Sequence, residues 1–427
     1  MTAEIAVMNQ SAVALAADSA ATLSREKILV ANKIFALSKY EPIAIMIYGG
    51  ASCMMVPWET TIKEYRARLG DTSHPTVEAY AKDFLRFIGR NKPLFPGPMQ
   101  AEFASQFAGS RLAGIVQEIG DRASEKMSGS GAITTQEVRR IVREIVVTSR
   151  AAWRSAAPRP GLPPPKEYRR RLQEQYKEQL EHLIEESFQN LPMTKTTRSQ
   201  LVEITLDVWC KAPRAPIPTG SGIVIAGFGS KEMFPALVSY QIDGVILDHP
   251  VCRQLSAAAM GHETAAYISP FAQEDMIRLF MEGVTPEYEA VIETYLQKIL
   301  VGIGGLATES VSNKQVTPAF QKGLVKWCEE MQSTFRRDLS AQRHALYSEP
   351  ILRIVANLPM DELASLAASL VNLTSLRRRM SPDQETVGGP IDVAVISRGD
   401  GLIWIDRKHY FEPERNPQFF TNYYKRR

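Results

Sequence analysis

The stretch Met1-Thr2-Ala3-Glu4-Ile5-Ala6-Val7-Met8-Asn9-Gln10-Ser11-Ala12-Val13-Ala14-Leu15-Ala16-Ala17-Asp18-Ser19 decides the fold. From Glu4 to Met8 and from Ala12 to Ala17 the residues are small, apolar and partly β-branched, and Asn9-Gln10-Ser11 between them is turn chemistry. The pattern predicts a β-hairpin that begins almost at residue one. Once Met1 is removed, Thr2 carries a free α-amine and a hydroxyl on one residue. An α-amine with a pKa of about 8 can accept the hydroxyl's proton directly or through water, so a weak nucleophile becomes active without a distant histidine. Such a pair needs a nearby cation that biases the amine toward its neutral form, and a carboxylate that holds the cation. Asp18 and Lys33 are the candidates. Taken singly, Asp18 reads as a turn cap, Lys33 as a solvated charge and Thr2 as an ordinary second residue.

Outward from this hairpin, Pro42 to Tyr48 (PIAIMIY) is nearly all apolar and ends in Gly49-Gly50, as a strand buried on both faces would. A glycine pair there permits close approach to backbone N–H donors, which an oxyanion requires. Trp58, Ile62, Tyr65 and Leu69 then lie on one face of a helix that Gly70 stops. Residues 71–217 read as helical, punctuated by Pro93 to Pro98, Ser128 to Gly131 and Pro158 to Pro165. The clearest element there is one amphipathic helix from Tyr168 to Leu191. Strand character returns at Gly222 to Gly227 and continues as a meander through Ala236 to Ile242 and Gly244 to Leu247. A helical stretch from Phe271 to Ser348 precedes a helix with Asp361 as its N-cap and Leu363, Leu366, Leu370 and Leu373 on one face. Ile391 to Ser397 and Leu402 to Asp406 form a closing hairpin. The order suits an α+β chain in which two sheets lie between helical layers.

Composition narrows the field. The 427 residues hold 50 basic and 47 acidic side chains, a net charge of +3 spread along the chain, so no global field draws nucleic acid or an anionic membrane. The four cysteines, Cys53, Cys210, Cys252 and Cys328, have neither disulfide-framework nor zinc spacing. His249, His262 and Glu263 lack a third strong ligand, so no metal site is expected. No apolar run is long enough for a membrane span, and the opening segment lacks a positive leader, so neither a membrane anchor nor a secretory signal is expected.

Thr2, Ala16-Ala17-Asp18-Ser19, Asn32-Lys33-Ile34-Phe35 and Gly49-Gly50 together resemble the catalytic half of proteasome β-subunits and HslV peptidases. In that family the catalytic threonine precedes the aspartate of an Ala-Ala-Asp-Ser motif by sixteen positions, as Thr2 precedes Asp18 here. The resemblance implies a four-layer αββα sandwich of the N-terminal-nucleophile hydrolases. Its core would span residues 1–70, 218–285 and 349–410, with helical insertions at 71–217 and 286–348 and a tail at 411–427. By the same resemblance Thr2 is nucleophile and base, Lys33 tunes it, Asp18 holds Lys33 and Gly49 donates to the oxyanion. Thr22 pairs with the substrate backbone, and Ala21, Ala31, Ile47 and Ala51 fall near the specificity pocket, which implies an apolar residue before the cut. Asp383 and Thr386 keep the family's supporting Asp-to-hydroxyl spacing, although Val387 separates Thr386 from Gly388-Gly389.

The activity so implied is that of a threonine-type peptidase acting on peptide or protein substrates without cofactor or metal. It would be a cytoplasmic homo-oligomer, in a ring, with an ATPase or other regulatory partner. Two other readings keep the fold. One is a non-catalytic proteasome-fold scaffold, against which stands the absence of a helical extension before Thr2. The other is an amidohydrolase of the same N-terminal machinery acting on a small-molecule amide.

Overall fold

The computed structural model describes residues 3–24, 27–159, 161–163, 165–212, 220–310, 318–380, 388–409 and 411–424, with main chain alone at 21–24, 27–30, 130, 165, 304–310, 318–321 and 422–424. The main strands are β1 (Ala3–Asn9), β2 (Ala12–Asp18), β3 (Ala20–Ser24), β4 (Lys27–Val30), β5 (Ile34–Ala36), β6 (Ile43–Gly49), β7 (Ser221–Gly227), β8 (Ala236–Ile246), β9 (His249–Ala259), β10 (Ala266–Ala272), β11 (Ile391–Ser397) and β12 (Gly401–Asp406). The main helices are α1 (Trp58–Leu69), α2 (Val77–Arg90), α3 (Gly97–Ser130), α4 (Thr135–Ser155), α5 (Pro165–Gln175), α6 (Lys177–Phe188), α7 (Lys195–Cys210), α8 (Asp275–Glu282), α9 (Pro286–Ser310), α10 (Pro318–Arg343), α11 (Glu349–Val355) and α12 (Met360–Arg379). They fall into two compact units.

The first unit comprises Met1–Ile34, Met233–Pro235 and Ala259–Arg427. Its sheet has the order β10-β1-β2-β11-β12, and every neighbouring pair is antiparallel. Ile5, Val7, Ala14, Ala16, Val393 and Val395 pack against Leu363, Ala364, Ala367, Leu370 and Val371 of α12. Alanines at 364 and 367 let that helix lie close to the sheet. Asn9 fixes the β1–β2 turn: its Oδ1 accepts from the Ser11 and Ala12 N–H groups at 3.0 and 3.2 Å, while its Nδ2 donates to the Val355 and Leu358 carbonyls. Every residue of β1 and β2 is buried, so neither strand has a solvent face.

The second unit comprises Phe35–Glu232 and Ala236–Ala258, and its sheet has the order β9-β8-β7-β6-β5. Ile43, Ile45, Ile47, Ile223 and Ile225 form a core with Trp58, Ile62 and Tyr65 of α1 and Tyr80 and Phe84 of α2. Tyr65 and Phe84 meet edge-on at 5.0 Å, a favoured aromatic geometry. Helices α3 to α7 build a separate apolar core around Leu112, Ile145, Leu172, Tyr176 and Trp209.

Several elements differ from the sequence expectation. The single helix over Tyr168–Leu191 is two helices, because the backbone at Tyr176 leaves helical geometry (φ −112°, ψ 20°). The apolar stripe still points inward, with Leu172, Tyr176, Leu180, Ile184 and Phe188 all buried. The meander through Gly244 is one continuous strand, β8, whose glycine makes room for the Phe103 ring. Asp361 is not an N-cap; the helix starts at Met360 and the carboxylate sits in its first turn, where the helix dipole favours it. On that helix Leu366 is half-buried and Leu373 exposed, since Ala364 and Ala367 take the inward face. The stretch expected to be helical from Phe271 begins as β10 and turns helical only at Asp275.

Candidate active site

The β1–β2 register sets Glu4 opposite Ala17, which brings the end of β2 beside the start of β1. There Asp18 Oδ1 accepts from the Ala3 N–H at 2.9 Å and from Lys33 Nζ at 2.5 Å. Asp18 Oδ2 accepts from the Gly388 N–H at 3.0 Å. Both oxygens are thus occupied, and the carboxylate is held from three directions by one ammonium and two backbone donors. Lys33 arrives on the segment after β4, which is anchored where the Ala31 N–H donates to the Ser19 carbonyl at 2.9 Å. The far side is closed by Gly388-Gly389-Pro390: the Ala20 N–H donates to the Gly388 carbonyl at 3.1 Å, and Ser19 Oγ donates to the Pro390 carbonyl. Gly389 takes φ +78°, the left-handed region that glycine enters without strain.

Lys33 has a second carboxylate. Glu4 Oε1 lies 3.0 Å from Nζ, and the side chains of Glu4 and Asp18 are fully buried while that of Lys33 is 5% exposed. Buried charges cost several kcal/mol each unless paired, so two carboxylates on one ammonium is a costly arrangement to build. Sequence reasoning missed Glu4. The signal was there, since a lone acid within Ala3-Glu4-Ile5-Ala6-Val7-Met8 points into a core and must find a cation.

The other expected site residues are placed as follows. Ala31 is half-buried in the first unit beside Lys33. Ala21 and Thr22 lie on β3, where Thr22 pairs with Ile28 through the backbone. Gly49, Ile47 and Ala51 belong to the second unit: Ile47 is buried in its core, Ala51 is exposed, and Gly49 ends β6 at φ +74°. Ser221 locks that glycine corner by donating to the Gly50 carbonyl at 2.9 Å and the Ser52 carbonyl at 3.2 Å, a second residue that sequence reasoning missed. Thr2, Asp383 and Thr386 lie outside the described residues.

Among the described residues no group of three His, Cys, Asp or Glu side chains could hold a metal. His249 stacks edge-on against Tyr168 at 5.2 Å, and burial, aided by Arg171, holds its imidazole below the usual histidine range. His262 packs on Phe234. Cys53 and Cys252 are thiols that burial pushes up to about 12, which makes them inert as nucleophiles. Among the described residues no helix is long and apolar enough to cross a membrane.

No family model and no curated protein matches the sequence. Among solved structures, a Gly-1 mutant of Anbu from Hyphomicrobium sp. strain MC1 aligns over 98% of this chain and 94% of its own, at 9% identity and a TM-score of 0.27. Anbu from Yersinia bercovieri, an ancestral β-subunit, aligns over 98% and 91%, at 9% identity and a TM-score of 0.26. Likenesses this slight carry no weight for fold or function.

Proposed function

We propose that the chain is a proteasome-like N-terminal-nucleophile hydrolase, a threonine peptidase whose nucleophile is Thr2. The observation that carries this reading is the buried Lys33 ammonium held by Asp18 and Glu4, with Asp18 also gripping the backbone N–H of Ala3, the residue after Thr2. The positive charge favours the neutral form of a nearby α-amine, which can then serve as base.

In the proposed reaction the Thr2 hydroxyl oxygen attacks the substrate carbonyl carbon while the α-amine takes the hydroxyl proton. The oxyanion is stabilised by a backbone donor at Gly49. Collapse breaks the C–N bond, the leaving amine takes the proton from the α-ammonium, and an ester to Thr2 remains. Water, deprotonated by the same amine, cleaves that ester and restores Thr2. Thr22 aligns the substrate backbone, and Ala21, Ala31, Ile47 and Ala51 line an apolar pocket for the residue before the cut. Asp383 and Thr386 support the nucleophile. The reading includes a four-layer core and a cytoplasmic homo-oligomeric ring with an ATPase or other regulatory partner.

The test is the intact mass of the purified protein before and after an epoxyketone, a probe that needs both the amine and the hydroxyl of an N-terminal threonine. Loss of Met1 followed by one adduct is the expected result, with no adduct in Thr2→Ala. Retained Met1 and no adduct, in cells that remove Met efficiently, would overturn the reading in favour of a scaffold.

A further inference from the structure

The strand that opens the chain has a second flank, opposite the one that carries Asp18. There β10 pairs with β1 from Asn9 and Ala266 up to Ala3 and Ala272. At Ala272 the main chain turns sharply: the Gln273 N–H donates to the Phe271 carbonyl at 3.0 Å, closing a three-residue turn on an alanine at φ +68°. This is the uncommon hand of the γ-turn, strained for alanine where glycine would enter it freely. Strained main chain of this kind gathers at sites that bind or react. The turn sits across from Ala3, the residue after Thr2.

The turn leads into Gln273, whose residue is 3% exposed. Arg378 of α12 donates from Nε to Gln273 Oε1 at 2.7 Å, and its Nη2 lies 3.8 Å from Asp275 Oδ1 on α8. A guanidinium offers donors alone, so the carboxamide oxygen must face it, and the other end of the carboxamide is fixed as NH2. That Nε2 is closed to solvent and meets no acceptor among the described residues. The nearby carboxylates are turned elsewhere. Asp18 holds Ala3, Lys33 and Gly388, and Glu4 projects from the sheet face opposite α12, since Ala3, Ile5 and Val7 are the β1 residues that pack with that helix. Buried donors are nearly always paired, so one held unpaired at the start of β1 points to an acceptor that arrives from outside.

In the sheet β1 lies between β10 and β2. Ala21, Thr22 and Ala31, which the proposed reaction gives to the acyl half of the substrate, follow from β2, and Gln273 follows from β10. A peptide whose acyl half lies on the β2 flank of Thr2 sends its leaving half toward the other flank, and the acceptors that its main chain offers are carbonyl oxygens.

We propose that Gln273 binds the leaving-group half of the substrate, its Nε2 donating, once Met1 is removed, to the main-chain carbonyl of the residue after the cut. This rests on the reading of Thr2 as nucleophile. The test compares two substrates with the same acyl half, a peptide that runs two residues beyond the cut and a naphthylamide, whose leaving group has no hydrogen-bond acceptor. Gln273→Glu keeps the oxygen that Arg378 grips and loses the donor. It is expected to lower kcat/KM about tenfold for the peptide and to leave the naphthylamide unchanged. Gln273→Met, uncharged, is expected to show the same selective loss. The epoxyketone has no leaving half, so its adduct is expected to form on both variants as on the parent. Equal losses on the two substrates, or no loss on either, would overturn the proposal while an adduct on the parent leaves the peptidase reading standing. No adduct on the parent would overturn both.

Discussion

Lys33 is where charge bookkeeping bites hardest in the first unit, because it is the ammonium that two buried carboxylates share. Removing it strands both acids, whereas removing Glu4 leaves Lys33 still paired with Asp18. Lys33→Met is therefore expected to destabilise the protein by about 3–5 kcal/mol, and Glu4→Gln by far less. In the Lys33→Met background, Glu4→Gln is expected to recover stability, since it removes a stranded charge. Urea unfolding of the two single variants and the double variant measures all three, and a Lys33→Met protein as stable as the parent would refute the buried pairing. Asp18 and Lys33 were legible in the sequence as the carboxylate and cation that the Thr2 chemistry calls for, at positions that the resemblance to proteasome β-subunits singles out. Glu4 was not, because its partner is supplied by tertiary structure and no local pattern announces it. Gly388 was legible as half of a glycine pair, but its hydrogen bond to Asp18 was not.

At the scale of elements, apolar spacing proved more dependable than element boundaries. The stripe through Leu172, Leu180 and Ile184 is buried although the helix carrying it breaks at Tyr176, where the ring packs edge-on against Trp209 at 5.7 Å. Leu172→Ala is expected to cost about 2–5 kcal/mol, and Leu191→Ala, at the half-buried end, well under half as much. Chemical denaturation of the two variants checks this, and equal losses would mean that the stripe does not face a core. Two of the strands that escaped the reading, β9 and β10, did so for chemical reasons. β9 carries Arg253, Gln254 and Ser256 among its apolar residues, and half of it is solvated. β10 contains Pro270, which normally argues against a strand; it is tolerated because β10 is the edge of its sheet, where a missing N–H breaks no ladder. Between α3 and α4, Gly131 at φ +75° ends one helix and Thr134 with Glu137 caps the next, a signature present in the sequence as Thr134-Thr135-Gln136-Glu137.

For the whole molecule, the proposed ring carries its own expectation. Tyr288, Tyr295 and Ile299 of α9 are each more than half exposed, apolar area that a lone protomer leaves in water. Mass photometry is expected to find a species at an integral multiple of 47.6 kDa, and a protein that stays monomeric across the assay range would exclude the ring. The alternation of strands and helices along the chain was readable, because hydrophobic period separates the two. The pairing of distant strands was not, because register across hundreds of residues leaves no local trace. That pairing has a consequence for synthesis. β1 finds one neighbour only in β10, β2 finds one only in β11, and Asp18 is gripped by Gly388. At about 5–20 residues per second, roughly 20–80 s separate the emergence of Asp18 from that of its last partner. The β1–β2 hairpin therefore waits, apolar on both faces, until β10 and β11 have been made, and a nascent chain cannot close the cluster around Asp18 before then.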